Sequence, residues 1–315
     1  MANPVQAVVF HSHGVGQYVR VSQFPRPGQT IRALSWDNDR DGGKGSNVAI
    51  ALAKLGVSTA FFGKVGCDIW GDLGEQWMSE AGVDVSALLR SERLRTSTGV
   101  VMIDNEGANM IVTRNTSTDF TREEILTALG RFAGAKVFIT GFEINVEAAL
   151  FGAQTAHGMG MTTILNPSPI PERPLGELPY IDVLIVNEHE ALELAGLAQD
   201  ADCLARLEEI SARLMERYRV GSVIMTLGRH GSFCRSPGGV WRHGAVEAPV
   251  VDTTGAGDGF LAAVAAKLIG GSSLPEACGF ANAFSAYSVG VQGTFPSYPT
   301  LEQLTAFLEE RTKVS

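Results

Sequence analysis

The chain is poor in cysteine. Its 315 residues carry four, Cys67, Cys203, Cys234 and Cys278, and no two of them form a C-x-x-C pair. Such scatter excludes a disulfide framework and a C-x-x-C redox or zinc motif, and it suits reduced, mostly buried thiols in a cytoplasm. Long apolar runs are missing as well. None approaches the ~18–20 residues of a membrane span, so no membrane partner is expected. The opening Met1-Ala2-Asn3-Pro4 lacks the basic start of a secretory signal, and the apolar stretch Ala7 to Phe10 has only the length of a strand. Positive charge is also scarce: 25 Lys and Arg against 34 Asp and Glu leave a net charge of −9. Phosphate backbones want clustered cations, so this balance argues against nucleic acid as the main partner. Arg90, Arg93 and Arg95 lie close together, but Glu92 interrupts them, and the group reads as a solvated turn. Internal repeats, low-complexity stretches and long linkers are absent.

What is present is a globular composition, 45% hydrophobic and 19% charged, enough to bury a sizeable core. Continuous apolar runs at Val5–Phe10, Ser58–Phe62, Val137–Thr140, Thr162–Leu165, Val183–Val186 and Val223–Leu227 read as strands buried on both faces. Helical patterns stand between them, at Gly71–Ala81, from the Thr121-Arg122-Glu123-Glu124 capping box to Phe132, at Val146–His157 and at Asp202–Tyr218. This alternation predicts an α/β fold with a mainly parallel central sheet flanked by helices. Two pieces break it. Residues from about 15 to 35 look extended, and Thr98–Ile103 and Asn109–Thr113 flank a hairpin turn at Asp104-Asn105-Glu106-Gly107. They are expected to form a small β-sheet lid (residues 13–35 and 97–118) over a core made of 1–12, 36–96 and 119–315.

Two glycine-rich loops carry the chemistry. Asp252-Thr253-Thr254-Gly255-Ala256-Gly257-Asp258 runs straight into an apolar segment in which Phe260, Val264 and Leu268 recur every four residues, so the glycines sit at a helix N-terminus. There, free N–H groups and the positive dipole end can hold a phosphate or a developing negative charge. Asp258 falls in the first turn, where a carboxylate can accept a proton. Gly42-Gly43-Lys44-Gly45-Ser46-Asn47 feeds a second apolar helix that stops near Gly56. It lacks the G-x-x-x-x-G-K-S/T spacing of a Walker A loop. Two such junctions in one chain can build a cleft, and an anion site beside a base suits phosphoryl transfer to a hydroxyl. In open α/β sheets ligands bind outside the carboxyl ends of the strands. Asn166, Asn187 and Gly228 all fall at such ends.

Other patterns carry less. Gly14-Val15-Gly16 follows a strand, but a dinucleotide fingerprint needs a third glycine where Val19 stands. His11 and His13 alternate on a strand end and share a face, without a third metal ligand at suitable spacing. Each is open to a structural role or to a sugar-hydroxyl contact. Arg114, at the end of a lid strand, is open to a solvent-facing position or to a contact with a phosphorylated substrate. Asn187 and Glu190 have the spacing of an ordinary helix start.

The two glycine loops, in this order, resemble the signatures of the ribokinase or PfkB family of carbohydrate kinases. Further segments strengthen the resemblance over nearly the whole chain: Phe24-Pro25-Arg26-Pro27-Gly28-Gln29-Thr30, Val65-Gly66-Cys67-Asp68-Ile69-Trp70-Gly71, Leu165-Asn166-Pro167-Ser168-Pro169, Asn187-Glu188-His189-Glu190, Thr226-Leu227-Gly228-Arg229-His230-Gly231 and Gly293-Thr294-Phe295-Pro296-Ser297. The resemblance implies a ribokinase-like fold and an ATP-dependent kinase acting on a hydroxyl of a small sugar. Asp258 then matches the catalytic base, and Gly255, Ala256 and Gly257 the backbone anion hole. Gly42, Gly43, Asn47 and Glu143 match sugar-contacting positions, and His13 is added as a substrate contact. Asn187, Thr226, Gly228 and Asn282 match nucleotide-binding positions. Glu190 and Asn187 match the motif that organises Mg2+ through water. Asp252, Thr254, Ser288, Val291, Gly293 and Ser297 fall where the family holds K+. A homodimer paired through the lid is expected. One departure stands out: the family's N-x-D motif after the first strand, whose Asp binds sugar hydroxyls, is Gly14 and Gly16 here. The sugar pocket is therefore rebuilt. A nucleoside kinase, a sugar-phosphate kinase and a catalytically silent sensor of the same fold remain as alternatives.

Overall fold

The structure is a computed structural model, and it describes residues 4–38, 41–106, 108–114 and 118–312. Its centre is β1 (Ala7–Phe10), whose four residues are all completely buried. Strand alternation sends Val8 and Phe10 into one apolar cluster and Ala7 and Val9 into the other, so both faces of the strand are covered. The chain continues through β2 (Gly14–Arg20), β3 (Ser35–Asp37), α1 (Gly43–Lys54), β4 (Thr59–Gly66), α2 (Ile69–Glu80), β5 (Asp84–Ser91), β6 (Ser97–Ile103) and β7 (Asn109–Arg114). Then helix and strand alternate: α3 (Arg122–Arg131), β8 (Val137–Gly141), α4 (Val146–Gly158), β9 (Thr162–Asn166), β10 (Val183–Asn187), α5 (Glu188–Leu194), α6 (Leu207–Tyr218) and β11 (Ser222–Thr226). A hairpin of β12 (Ser232–Ser236) and β13 (Gly239–His243) precedes α7 (Ala256–Ile269), α8 (Leu274–Ser288) and α9 (Leu301–Thr312).

The large sheet has the order β13-β12-β11-β10-β9-β8-β1-β4-β5. It is parallel from β11 through β5, with β12 and β13 added antiparallel at one edge. Because β1 pairs in register with β4 on one side and β8 on the other, the chain leaves the centre in one direction and returns to build the other half. The second sheet, β3-β2-β6-β7, contains the extended pieces that break the alternation. Its β3 ends at Asp37, beyond the boundary at residue 35 expected for the lid. The helix expected over Asp202–Tyr218 begins as a 3-10 turn at Leu204–Arg206 and becomes α-helical at Leu207. The capping box at Thr121 forms as its sequence implies, with Glu124 reaching back to the Thr121 N–H at 2.7 Å.

The site is assembled where β1 ends. α1 lies so close to the chain leaving β1 that a Cβ on Gly45 would come within 2.4 Å of the Ser12 carbonyl oxygen and 2.5 Å of His11 Cβ. Backbone cannot yield as a flexible side-chain tip can. Gly45→Ala should therefore lift α1 from the sheet and destabilise the protein by about 1–3 kcal/mol, the usual cost of overpacking. Urea denaturation checks this; an unchanged midpoint and slope would contradict the close approach.

Candidate active site

Both glycine loops do open helices. α1 begins after Gly42 and α7 after Gly255, and neither receives a side-chain cap. At α7 the Ala256 N–H is engaged by Thr253 O at 3.2 Å. The Gly257 and Asp258 N–H groups lie in the first turn, where no intrahelical acceptor exists. Gly255 takes φ +72°, and a Cβ there would lie 2.5 Å from Thr294 Cγ2 and 2.6 Å from the Tyr298 hydroxyl. That hydroxyl donates to Gly255 O at 2.9 Å. The glycine is thus required both by its left-handed backbone and by the lack of room.

Asn47 joins the two helices. It is 2% exposed. Its amide donates to Asp258 Oδ2 at 2.8 Å and to Asp41 Oδ1 at 2.9 Å. Its Oδ1 accepts from Gly42 N and from the Thr294 hydroxyl, each at 3.2 Å. Lys44 Nζ stands 3.7 Å from Asp258 Oδ1. Burial pushes the Asp258 carboxyl above its ordinary range, against the opposing pull of Lys44 and Asn47. Lys44 is in turn held more firmly protonated, chiefly by Asp258.

A cavity of about 590 Å³ opens between this cluster and the second sheet. Asp41, Gly43, Glu143, Ser12, Tyr18, Asp252 and Thr254 line it, and Arg20 stands in its wall. Gly43 and Glu143 thus face the cavity, while Gly42 and Asn47 stand behind its wall. Glu143 Oε2 accepts from the Ser12 hydroxyl at 2.6 Å. His11 comes within 3.7 Å of the same oxygen, but its Nδ1 accepts the Ser12 N–H at 2.9 Å and burial lowers its pKa to about 3. The contact is therefore between a neutral ring and a carboxylate.

His13 does not reach the cavity, and the expected substrate contact is corrected. It is 3% exposed, with Nδ1 2.7 Å from the Ser46 hydroxyl and Nε2 3.3 Å from Trp70 O. Its ring fills the space over Gly74, where a Cβ would lie 2.1 Å from Nε2, and burial lowers its pKa to about 4. Arg114 is likewise turned away, donating to Thr96 O at 2.8 Å. The cation that does line the cavity is Arg20.

A second cavity lies on the other side of the 252–258 loop. Thr226, Gly228 and Asn282 line it together with Ala256, Gly257 and Phe260, and the two cavities share Val250 and Thr253. The uncapped start of α7 therefore stands between them. Asn187 caps α5, accepting from Glu190 N at 2.8 Å, and Glu190 Oε2 accepts from Asn187 N at 3.0 Å. The pair makes a capping box, so the helix-start reading of these residues holds in full. Asn166 Nδ2 also reaches Glu190 Oε2, at 3.5 Å. Asp252 accepts from Thr254 N and its hydroxyl at 2.9 and 2.7 Å, and from Gly293 N at 2.9 Å. The Ser288 and Ser297 hydroxyls are 2.7 Å apart. Val291 N bonds back to Ser288 O at 3.1 Å. Asp252, Thr254, Ser288, Val291, Gly293 and Ser297 thus fall on two tight turns linked through Asp252.

Sequence reading missed Lys44, Tyr18 and Ser12. Lys44 lies inside the glycine loop, and a cation within that motif was a usable signal, although its place beside Asp258 was not. Tyr18 and Ser12 carry no local pattern: Tyr18 is brought in by the second sheet, and Ser12 by the segment that leaves β1.

Comparison with known proteins bears on this geometry. Residues 20–301 match the family described as pfkB family carbohydrate kinase. The ribokinase of Staphylococcus aureus (strain COL) is 28% identical over 306 residues, covering 96% of this chain and 99% of that protein. The ribokinase of Arabidopsis thaliana is 30% identical over 314 residues, covering 96% of this chain and 80% of that protein. The structure of Arabidopsis thaliana ribokinase complexed with ribose and ATP superposes with a TM-score of 0.84 at 27% identity, covering 98% of this chain and 99% of that one. The large parallel sheet, the uncapped glycine N-terminus beside a buried aspartate and the match over most of its length lead to one conclusion: the chain belongs to the pfkB family of carbohydrate kinases.

Proposed function

We propose that this ATP-dependent sugar kinase binds its acceptor in the cavity lined by Asp41, Gly43 and Glu143, and ATP in the one lined by Thr226, Gly228 and Asn282. Asp258 is the base that orients the acceptor hydroxyl, a primary alcohol, and takes its proton. The observation that carries this reading is the position of Asp258. It sits in the first turn of an uncapped helix whose start lies between two cavities, with its carboxylate held by Asn47. The N–H groups of Gly257 and Asp258 face where charge develops on the moving phosphoryl group, and such preorganised donors carry much of phosphoryl-transfer catalysis. Lys44 adds a cation without displacing the base.

Mg2+ bound with ATP supplies charge neutralisation on the phosphates. Asn187 Oδ1 and Glu190 Oε2 already accept helix N–H groups. Their free lone pairs suit contact through water, the habit of an ion that keeps much of its hydration shell. Asp252 is similarly occupied, so the K+ reading of Asp252, Thr254, Ser288, Val291, Gly293 and Ser297 rests on backbone carbonyls for most of its ligands. The second sheet acts as a lid that excludes water as a competing acceptor. Its exposed Trp36, Met110 and Val112 support pairing of two lids in a homodimer. A cytoplasmic location remains part of this proposal; among the described residues, no helix is long and apolar enough to cross a membrane. The sugar-phosphate alternative loses its support with Arg114 turned onto Thr96.

Asp258→Asn should lower turnover by ~10²–10⁴, the usual weight of a positioned base, with ATP binding retained; near-normal ADP release would refute the assignment. The pH dependence has a definite sign. Asp258 must be ionised to act, and burial raises its pKa. The acid limb of kcat/KM should therefore lie above the usual carboxylate range, with activity lost as pH falls through it. A pH–rate profile checks this. The two glycines of the turn should separate. Gly255→Ala should cost roughly 1–2 kcal/mol for its left-handed backbone alone, seen in thermal unfolding. Gly257→Ala, whose Cβ would meet nothing within 4 Å, should unfold normally and lose turnover. Equal rates in potassium and in a bulky organic cation would remove the monovalent site.

A further inference from the structure

Glycine at position 16 has a steric cause. A Cβ there would lie 2.6 Å from Asp41 Oδ2 and 3.0 Å from Asp41 Cβ. The two positions compete for one volume, and Asp41 occupies it. The backbone locks this arrangement, since Gly16 N donates to Asp41 O at 3.0 Å. Only half of the Asp41 carboxylate is used by the protein. Oδ1 accepts from Asn47 Nδ2 and from Gly43 N at 2.9 and 3.1 Å, while Oδ2 has no hydrogen bond among the described residues. Through Asn47, Asp41 is one side chain removed from Asp258.

A second observation points to a ligand at the same place. Two residues along β2 from Gly16, Tyr18 is 6% exposed and lines the cavity, and its buried hydroxyl has no hydrogen-bond partner. Thr254 lies close enough to influence it but does not make an ordinary bond to it. Burial, helped by Asp41, keeps the phenol protonated, so it remains a donor as well as an acceptor. An orphaned hydroxyl in a protein wall is costly, and a bound polar group removes the cost. Glu143 lines the same cavity and so pairs a second carboxylate with Asp41 there. That pairing attracts neutral hydroxyl groups and repels phosphate. Arg20 is the lining cation, further along β2.

Resting on the kinase reading above, we infer that Asp41 and Tyr18 form the subsite that selects the acceptor, and that they read adjacent hydroxyls of an uncharged polyol. Asp41 accepts from one hydroxyl, and Tyr18 exchanges a hydrogen bond with its neighbour. Asp41 thereby fixes the register in which the reacting hydroxyl meets Asp258.

Calorimetry without ATP separates this from catalysis. D-ribose, D-fructose and D-ribose 5-phosphate are titrated into the wild-type chain and into Asp41→Ala, Asp41→Asn, Tyr18→Phe, Gly16→Asp and the double variant Gly16→Asp/Asp41→Gly. MgATP titrated into each is the control for folding. A neutral sugar should bind the wild type. Asp41→Ala should weaken it about tenfold to a hundredfold, as for loss of hydrogen bonds to a charged group, with MgATP affinity unchanged. Gly16→Asp should lose sugar binding through collision with Asp41, and the double variant should recover most of it. Three results overturn the inference: neutral sugars binding Asp41→Ala as tightly as wild type, only the sugar phosphate binding, or a double variant no better than Gly16→Asp alone. Sugar bound by the wild type but never phosphorylated with MgATP would instead sink the kinase reading and leave the subsite standing.

Discussion

The side-chain amide of Asn47 is the contact on which the site depends. It has two donors and two acceptor positions, and all four are used: two carboxylates, a backbone N–H and a hydroxyl. No other side chain of that size can hold two carboxylates apart while also accepting two hydrogen bonds. An aspartate at 47 would add a third negative charge, and a leucine would remove all four of these hydrogen bonds. A fully satisfied buried network of this kind specifies a single arrangement. Here it sets the direction of Asp258 and Asp41 and ties α1 to α7 and to the turn at Thr294. Lys54, at the far end of α1, reinforces the same junction by donating to Phe295 O and Tyr298 O at 2.5 and 2.9 Å.

An acidic chain that handles ATP must find positive potential somewhere other than in clustered lysines. Under the proposed mechanism the uncapped start of α7 and Lys44 supply it beside Asp258, while Arg20 and Arg229 line the two cavities. Helix N–H groups have the advantage of being fixed: they do not reorganise, and they carry no proton that could transfer to a carboxylate beside them. Lys44 is poised by its neighbours, because Asp258, Glu143 and Glu190 all raise its pKa. Burial, rather than a tight ion pair, governs Asp41 and Asp258 and pushes both carboxyls above their ordinary range.

Much of this was legible in order along the chain. β1 could be read because burial on both faces demands an unbroken apolar run. Thr121 and Asn187 could be read because a capping box is a contact between residues three apart. β5 could not, since Asp84–Ser91 is a half-exposed edge strand whose sequence lacks a buried run. β13 was missed for the same reason at the other edge, since Gly239–His243 is mostly exposed. His13 shows the limit most clearly. Alternation puts it on the same strand face as His11, but β1 ends at Phe10 and β2 begins only at Gly14, so both histidines lie between strands, and the ring of His13 drops into the space left by Gly74, 61 residues away in sequence.

The sequence by itself determined the α/β class, the glycine-to-helix junctions, the aspartate in the first turn of one of them and the family, because each rests on contacts a few residues long or on an ordered set of motifs. Only the tertiary structure decided what replaces a side chain at Gly16. That answer depends on Asp41 arriving from a different segment to fill the same volume, and a volume shared by two distant positions leaves no mark on either one alone.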